Sequence, residues 1–194
     1  MKTGYQGRRY IILSQRLLLI FLIFIIVLPA CTQSNVTSIA GSNQSDLNND
    51  PRNPPNTCPV TKTSDPPFTP PEQYPDNPPE QNFWYGSASL WTAIPSNGVW
   101  YDLPHNSEGY SQKVFWWRDG YSVTEEPEPA LIVTGRRLDA DAPTLQSSKA
   151  TNAYGGDLGS ASMLVGVDFP TLGCWEITGQ YADASLTFVV WVAP

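Results

Sequence analysis

The sequence predicts an all-β chain whose folded part is an antiparallel sandwich of about seven strands. Three observations predict it. Short runs rich in β-branched and aromatic residues recur through residues 83–194, each bounded by Pro, Gly, Asn or Asp. The stretch Phe169–Val192, FPTLGCWEITGQYADASLTFVVWV, reads as two strands around a polar turn. No segment of a dozen residues carries a helical period, so helix content should be low. A small closed barrel is the structural alternative.

The strands are expected at Ser87–Ile94, Gly98–Asp102, Gln112–Trp117, Ala130–Arg136, Ser162–Asp168, Gly173–Gln180 and Ser185–Val192. Ser96-Asn97-Gly98 carries the chemistry of a hairpin turn between the first two, and Asp119-Gly120 does so after the third. In the fifth run Met163, Val165, Val167 and Phe169 share one face, as a half-buried strand requires. Trp175 and Ile177 share a face in the sixth, with Cys174, Glu176 and Thr178 opposite. The last run is apolar on both faces, so it is either covered on both sides or presents Trp191 in an outer patch.

Gly173-Cys174-Trp175 resembles the entry to the penultimate strand of immunoglobulin-like domains, where a tyrosine usually occupies the position of Trp175 and bonds back to the corner. The resemblance implies an immunoglobulin-like sandwich. Residues 83–194 also resemble a group of uncharacterised bacterial exported proteins. The residues that carry this are Leu90-Trp91, Gly98-x-Trp100, Thr134-Gly135-Arg136-Arg137-Leu138 and Phe169-Pro170-x-x-Gly173-Cys174-Trp175-Glu176-x-Thr178-Gly179. That second resemblance implies a fold and no activity.

The amino terminus reads as an address. Lys2, Arg8, Arg9 and Arg16 precede an unbroken apolar run, Leu17–Leu28, too short for the roughly 18 or more residues of a membrane-spanning helix. Leu28-Pro29-Ala30-Cys31 then resembles the lipobox of bacterial lipoproteins. The resemblance implies cleavage after Ala30, leaving residues 1–30 as a signal peptide. It further implies a Cys31 that carries lipid and moors the protein to the cell membrane or outer membrane, on the extracytoplasmic face. Plain secretion and an uncleaved anchor are the alternatives.

Without its leader the chain holds seven basic residues against eighteen acidic ones, a net charge of −11. Such a surface repels polyanions, and a nucleic-acid partner is not expected. Residues 31–57 are Ser-, Asn- and Asp-rich and should form a disordered tether. Residues 51–79 hold eleven of the nineteen prolines, which favours an extended, stiff chain, so 58–82 is expected to be a proline-rich spacer before the domain at 83–194. With Cys31 assigned to lipid, Cys58 and Cys174 remain, and in an oxidising compartment such a pair is more often bridged than free. That bridge would pin the spacer to the penultimate strand. If Trp175 faces the core, the bridge lies on the outer face or edge.

The candidate sites are few. Trp and Tyr rings are dense between Phe83 and Tyr121, and either fill the core or form a platform for sugars or a protein partner. Neighbours on a strand point to opposite faces, so one of Trp116 and Trp117 is the best candidate surface anchor, with Arg118 or Arg137 stacked on it. Arg136-Arg137 could instead receive a carboxylate, or pair with Asp139, Asp141 or the nearby glutamates. Glu125, Glu126 and Glu128 with Asp139 and Asp141 lack calcium-loop spacing and read as a solvated acidic loop. Gly155-Gly156-x-x-Gly159 lacks the strand–turn–helix setting of a phosphate cradle. His105 has no partners spaced as a triad. No cofactor, metal or catalytic set is expected.

These readings favour a non-enzymatic extracytoplasmic binding or structural module, with a cell-wall glycan or a protein as partner. A carbohydrate-binding module using surface Trp and Tyr is one rival. A hydrolase built on two carboxylates from Asp102, Glu108, Asp119 and Glu176 is the other.

Overall fold

The computed structural model describes residues 50–78, 81–154 and 161–194. The leader, Cys31, residues 32–49 of the tether and Gly155-Gly156-x-x-Gly159 lie outside the described residues. The described chain is all-β. Its strands are β1 (Asn82–Ser87), β2 (Leu90–Pro95), β3 (Val99–Trp100), β4 (His105–Asn106), β5 (Gly109–Trp117), β6 (Ile132–Arg137), β7 (Gln146–Ser147), β8 (Thr151–Tyr154), β9 (Ala161–Phe169), β10 (Gly173–Tyr181) and β11 (Ala184–Val192).

They form a two-layer sandwich. One sheet runs β1-β2-β5-β9-β7, with β4 paired to β5 and β8 to β9; the other runs β3-β11-β10-β6. Every pair is antiparallel except β3 with β11, which is parallel. All seven expected strands have a counterpart, and β1, β4, β7 and β8 are additions. Both expected hairpins after β2 and β5 are corrected, because β3 and β6 belong to the opposite sheet from β2 and β5. Ser96-Asn97-Gly98 and Asp119-Gly120 therefore begin crossings between layers. The same left-handed glycines, Gly98 at φ 69° and Gly120 at φ 70°, serve either purpose.

Alternation fills the space between the sheets. Leu90, Ile94, Val114, Trp116, Met163, Val165, Val167 and Phe169 come from one side, and Val133, Trp175, Ile177, Phe188, Val190 and Val192 from the other. Trp116 needs a gap to fit: a Cβ on Gly179 would lie 2.5 Å from the edge of its indole. Trp175 donates its indole N–H to the carbonyl of Thr171 at 3.0 Å. It thereby makes the backward corner bond that in immunoglobulin-like domains comes from a tyrosine hydroxyl.

The proline-rich segment packs on the sandwich rather than standing off it. Thr61 continues the edge of β11, donating its N–H to Val189 at 2.9 Å and accepting the Val189 N–H on its Oγ1 at 2.8 Å. Trp191 donates from its indole to Pro51, so the segment half-covers the outer face at the far end of β11, while Ser185 and Thr187 at its start stay exposed. Farther on, Phe68 and Tyr74 lie against Trp91, with ring centroids 5.8 and 4.9 Å away, and Trp84 donates to Pro75. Trp84, Trp91 and Trp117 thus make a second apolar cluster on the outer face of the larger sheet, roofed by the strap. Cys58 and Cys174 are bonded, and the bridge lies on the outer side of β10, opposite Trp175.

Candidate functional site

Trp116 and Trp117 do point to opposite faces, yet both are buried, at 0% and 2% exposure. The expectation of a surface ring at one of them is corrected: the strap covers the face on which Trp117 lies. Trp84, Trp91 and Trp100 are interior as well, leaving Tyr101 and Tyr154 as the exposed large rings among the described residues. Arg137 is also not a free fork. Its Nε and Nη2 donate to both carboxylate oxygens of Asp139 at 2.7 and 3.2 Å, and its Nη1 donates to Thr171. Asp139 in turn accepts the Cys174 N–H, and these donors hold its carboxyl below the usual range. The pair locks the entry to β10.

Most of the remaining candidates are engaged in structural contacts. Glu128 pairs with Lys149 at 2.5 Å, Glu176 with Arg136 at 2.7 Å and Asp102 with Arg52 at 3.5 Å. Among the described residues no three His, Cys, Asp or Glu side chains converge as a metal site. His105 lies tilted against Tyr110 with ring centroids 4.6 Å apart, while Ser111 and Asn106 both donate to Asp168 and tie β4, β5 and β9 together.

Arg118 is different. Of the four described arginines, Arg52, Arg136 and Arg137 each hold a carboxylate, whereas no carboxylate among the described residues pairs with Arg118. Its backbone is fixed just beyond β5: the carbonyl accepts the Tyr74 hydroxyl at 3.1 Å. Its guanidinium lies over the Tyr181 ring, 5.4 Å from the centroid. Tyr181 is held in turn by donating its hydroxyl to Glu126. The Arg118 Nε is buried without a partner; the two terminal nitrogens are neither hydrogen-bonded nor buried. They stand at a hollow of about 320 Å³ between the β1–β2 turn and the β10–β11 turn, bordered by Ser89, Asp119 and Asp183. A second hollow of about 470 Å³ shares Ser89, Asp183 and Ala184 with it and extends the cleft past Tyr85, Ser87 and Ser185.

Burial, together with the charge of Glu126, pushes the Tyr181 hydroxyl up to about 12. The folded state thus binds this proton more tightly than the unfolded chain, whose tyrosines titrate near pH 10. Tyr181 therefore contributes stability that is intact below pH 10 and fades between pH 10 and 12. Chemical denaturation at pH 9 and pH 11 should show that loss, and Tyr181→Phe should flatten the alkaline limb.

Sequence reasoning named Arg118 but placed it on a tryptophan, and it missed Tyr181, Asp183, Ser89 and Ser185. Those residues lie on two hairpin turns from different sheets, so only the tertiary fold brings them together. No family model, no curated protein and no solved structure matches the chain.

Proposed function

We propose that the protein is a non-enzymatic binding module, moored through lipid on Cys31 at the extracytoplasmic face of the membrane, whose partner is a cell-wall glycan or a protein. The uncommitted guanidinium of Arg118 in a polar cleft carries the binding part of this reading. A chain with so large an excess of acids has carboxylates to spare for every arginine, and a cation left without one is available to a ligand. The cleft stands on a braced scaffold: both turns that flank it end strands of full-length ladders, and Arg118 is anchored through Tyr74. The sugar-platform route through surface tryptophans loses its rings to the interior.

The basic leader, apolar run and Leu28-Pro29-Ala30-Cys31 support the mooring. The test is to express the chain and its Cys31→Ala variant in a bacterial host and separate membrane from soluble material. The parent should enter the detergent phase as a lipid-labelled, shortened species, and the variant should carry no lipid label. Equal labelling or unchanged processing would remove the anchor.

A further inference from the structure

We propose that the cleft between the β1–β2 and β10–β11 turns binds a saccharide that bears a carboxylate, with Arg118 receiving the carboxylate and Asp183 and the neighbouring serines receiving the hydroxyls. The inference rests on the binding-module reading and names its ligand.

Two features point to a carboxylate. The terminal nitrogens of Arg118 are open to the cleft, and stacking on Tyr181 holds the planar fork in place, so a bidentate acceptor meets a pre-set donor pair. Asp119 and Asp183 flank the same hollow. Their charge opposes a phosphate, which carries close to two negative charges, more strongly than a singly charged carboxylate.

The rest of the lining points to a sugar. Ser87, Ser89 and Ser185 supply hydroxyls that donate and accept, Ser64, whose hydroxyl already donates to Pro66, can accept, and Asp183 accepts from a polyol. Tyr85 adds part of one ring wall. The two hollows together extend the cleft beyond the space a single small anion would need. Asp119 already accepts from Gln73 at 2.7 Å, so Asp183 is the carboxylate available for hydroxyl contact.

The test is calorimetric titration of the purified full chain in detergent with oligosaccharides that end in a single galacturonate or glucuronate, their methyl esters, sodium phosphate and a short peptide acid. At least one of these singly charged sugar acids should bind, and its methyl ester should bind about tenfold more weakly or worse, since a charge-assisted fork is lost. Arg118→Gln should cost the acid a similar factor and leave the ester unchanged, while Arg118→Lys, which keeps charge without the fork, should fall between. Thermal melts of both variants should stay near the parent, which separates lost binding from lost folding. Equal affinity for acid and ester, or an Arg118→Gln variant that binds as the parent does, would overturn the inference. So would phosphate or the peptide acid binding in place of the sugars. Binding of the esters alone would overturn it and leave the module reading standing; that reading falls only if a broad glycan and protein screen also stays blank.

Discussion

Replacing Cys58 and Cys174 together by alanine is expected to lower the stability of the folded chain by about 2–5 kcal/mol. The bridge spans 116 residues, and closing so long a loop in the unfolded chain accounts for roughly 4–5 kcal/mol on the chain-entropy model. Both cysteines are buried, so the variant also loses packing where the strap meets β10. At roughly 2–4 °C per kcal/mol for a domain of this size, the melting temperature should fall by about 5–20 °C. The loss should have a location. Once Cys58 is unbonded, the strap is held by its noncovalent contacts alone, among them those at Pro51, Thr61, Phe68, Gln73, Tyr74 and Pro75, and its release would expose Trp84, Trp91 and Trp117. Tryptophan emission should shift to the red and protease should cut between residues 59 and 78 before the sandwich unfolds. Retention of full stability would show that the apolar roof alone seats the strap.

Trp116→Ala is expected to cost about 3–5 kcal/mol, the usual range for deleting a buried indole. Trp116 is fully buried, tilts against Phe188 with centroids 5.8 Å apart and occupies the space left by the missing side chain of Gly179. It is therefore the peg that joins the two sheets across their middle. Gly179→Val should be costly by itself, because its Cβ would sit 2.5 Å from indole carbons that have nowhere to go. The pair should be strongly non-additive. In Trp116→Leu with Gly179→Ala the smaller side chain removes the clash, so the double variant should be more stable than the sum of its singles predicts, by about 1 kcal/mol or more. Additive costs in denaturant titrations would show that the two residues do not share this gap.

The strands that were legible are those whose alternation reports burial on one face. β9 and β10 announce their inner faces through Met163, Val165, Val167, Trp175 and Ile177, and the side of the disulfide follows from that alternation. What lay on the outer face of the larger sheet was not legible. Its cover comes from residues 51–78, whose prolines read as a spacer, although Phe68 and Tyr74 are large apolar residues that an exposed stalk has no use for. Turn chemistry misled for a similar reason: Ser96-Asn97-Gly98 sets a backbone reversal but does not say which sheet the next strand joins. Arg137 had a partner two residues away in Asp139, and the nearer pairing won. β1 was hidden because Asn82–Ser87 follows the proline segment directly, and β4 and β7 have only two residues each, too few for any period.

The attachment of Cys58 to β10 also decides how the molecule answers a pull. Tension applied from upstream of residue 58 and resisted at the carboxyl end crosses at the sulfur atoms into β10 and continues through β11. The loop between the two cysteines, a sequence separation of 116, then stays slack, withholding on the order of 400 Å of extensible chain. Stretching in an atomic-force experiment should release only the short ends while the bridge is intact, and the long hidden length should appear when a reductant is added.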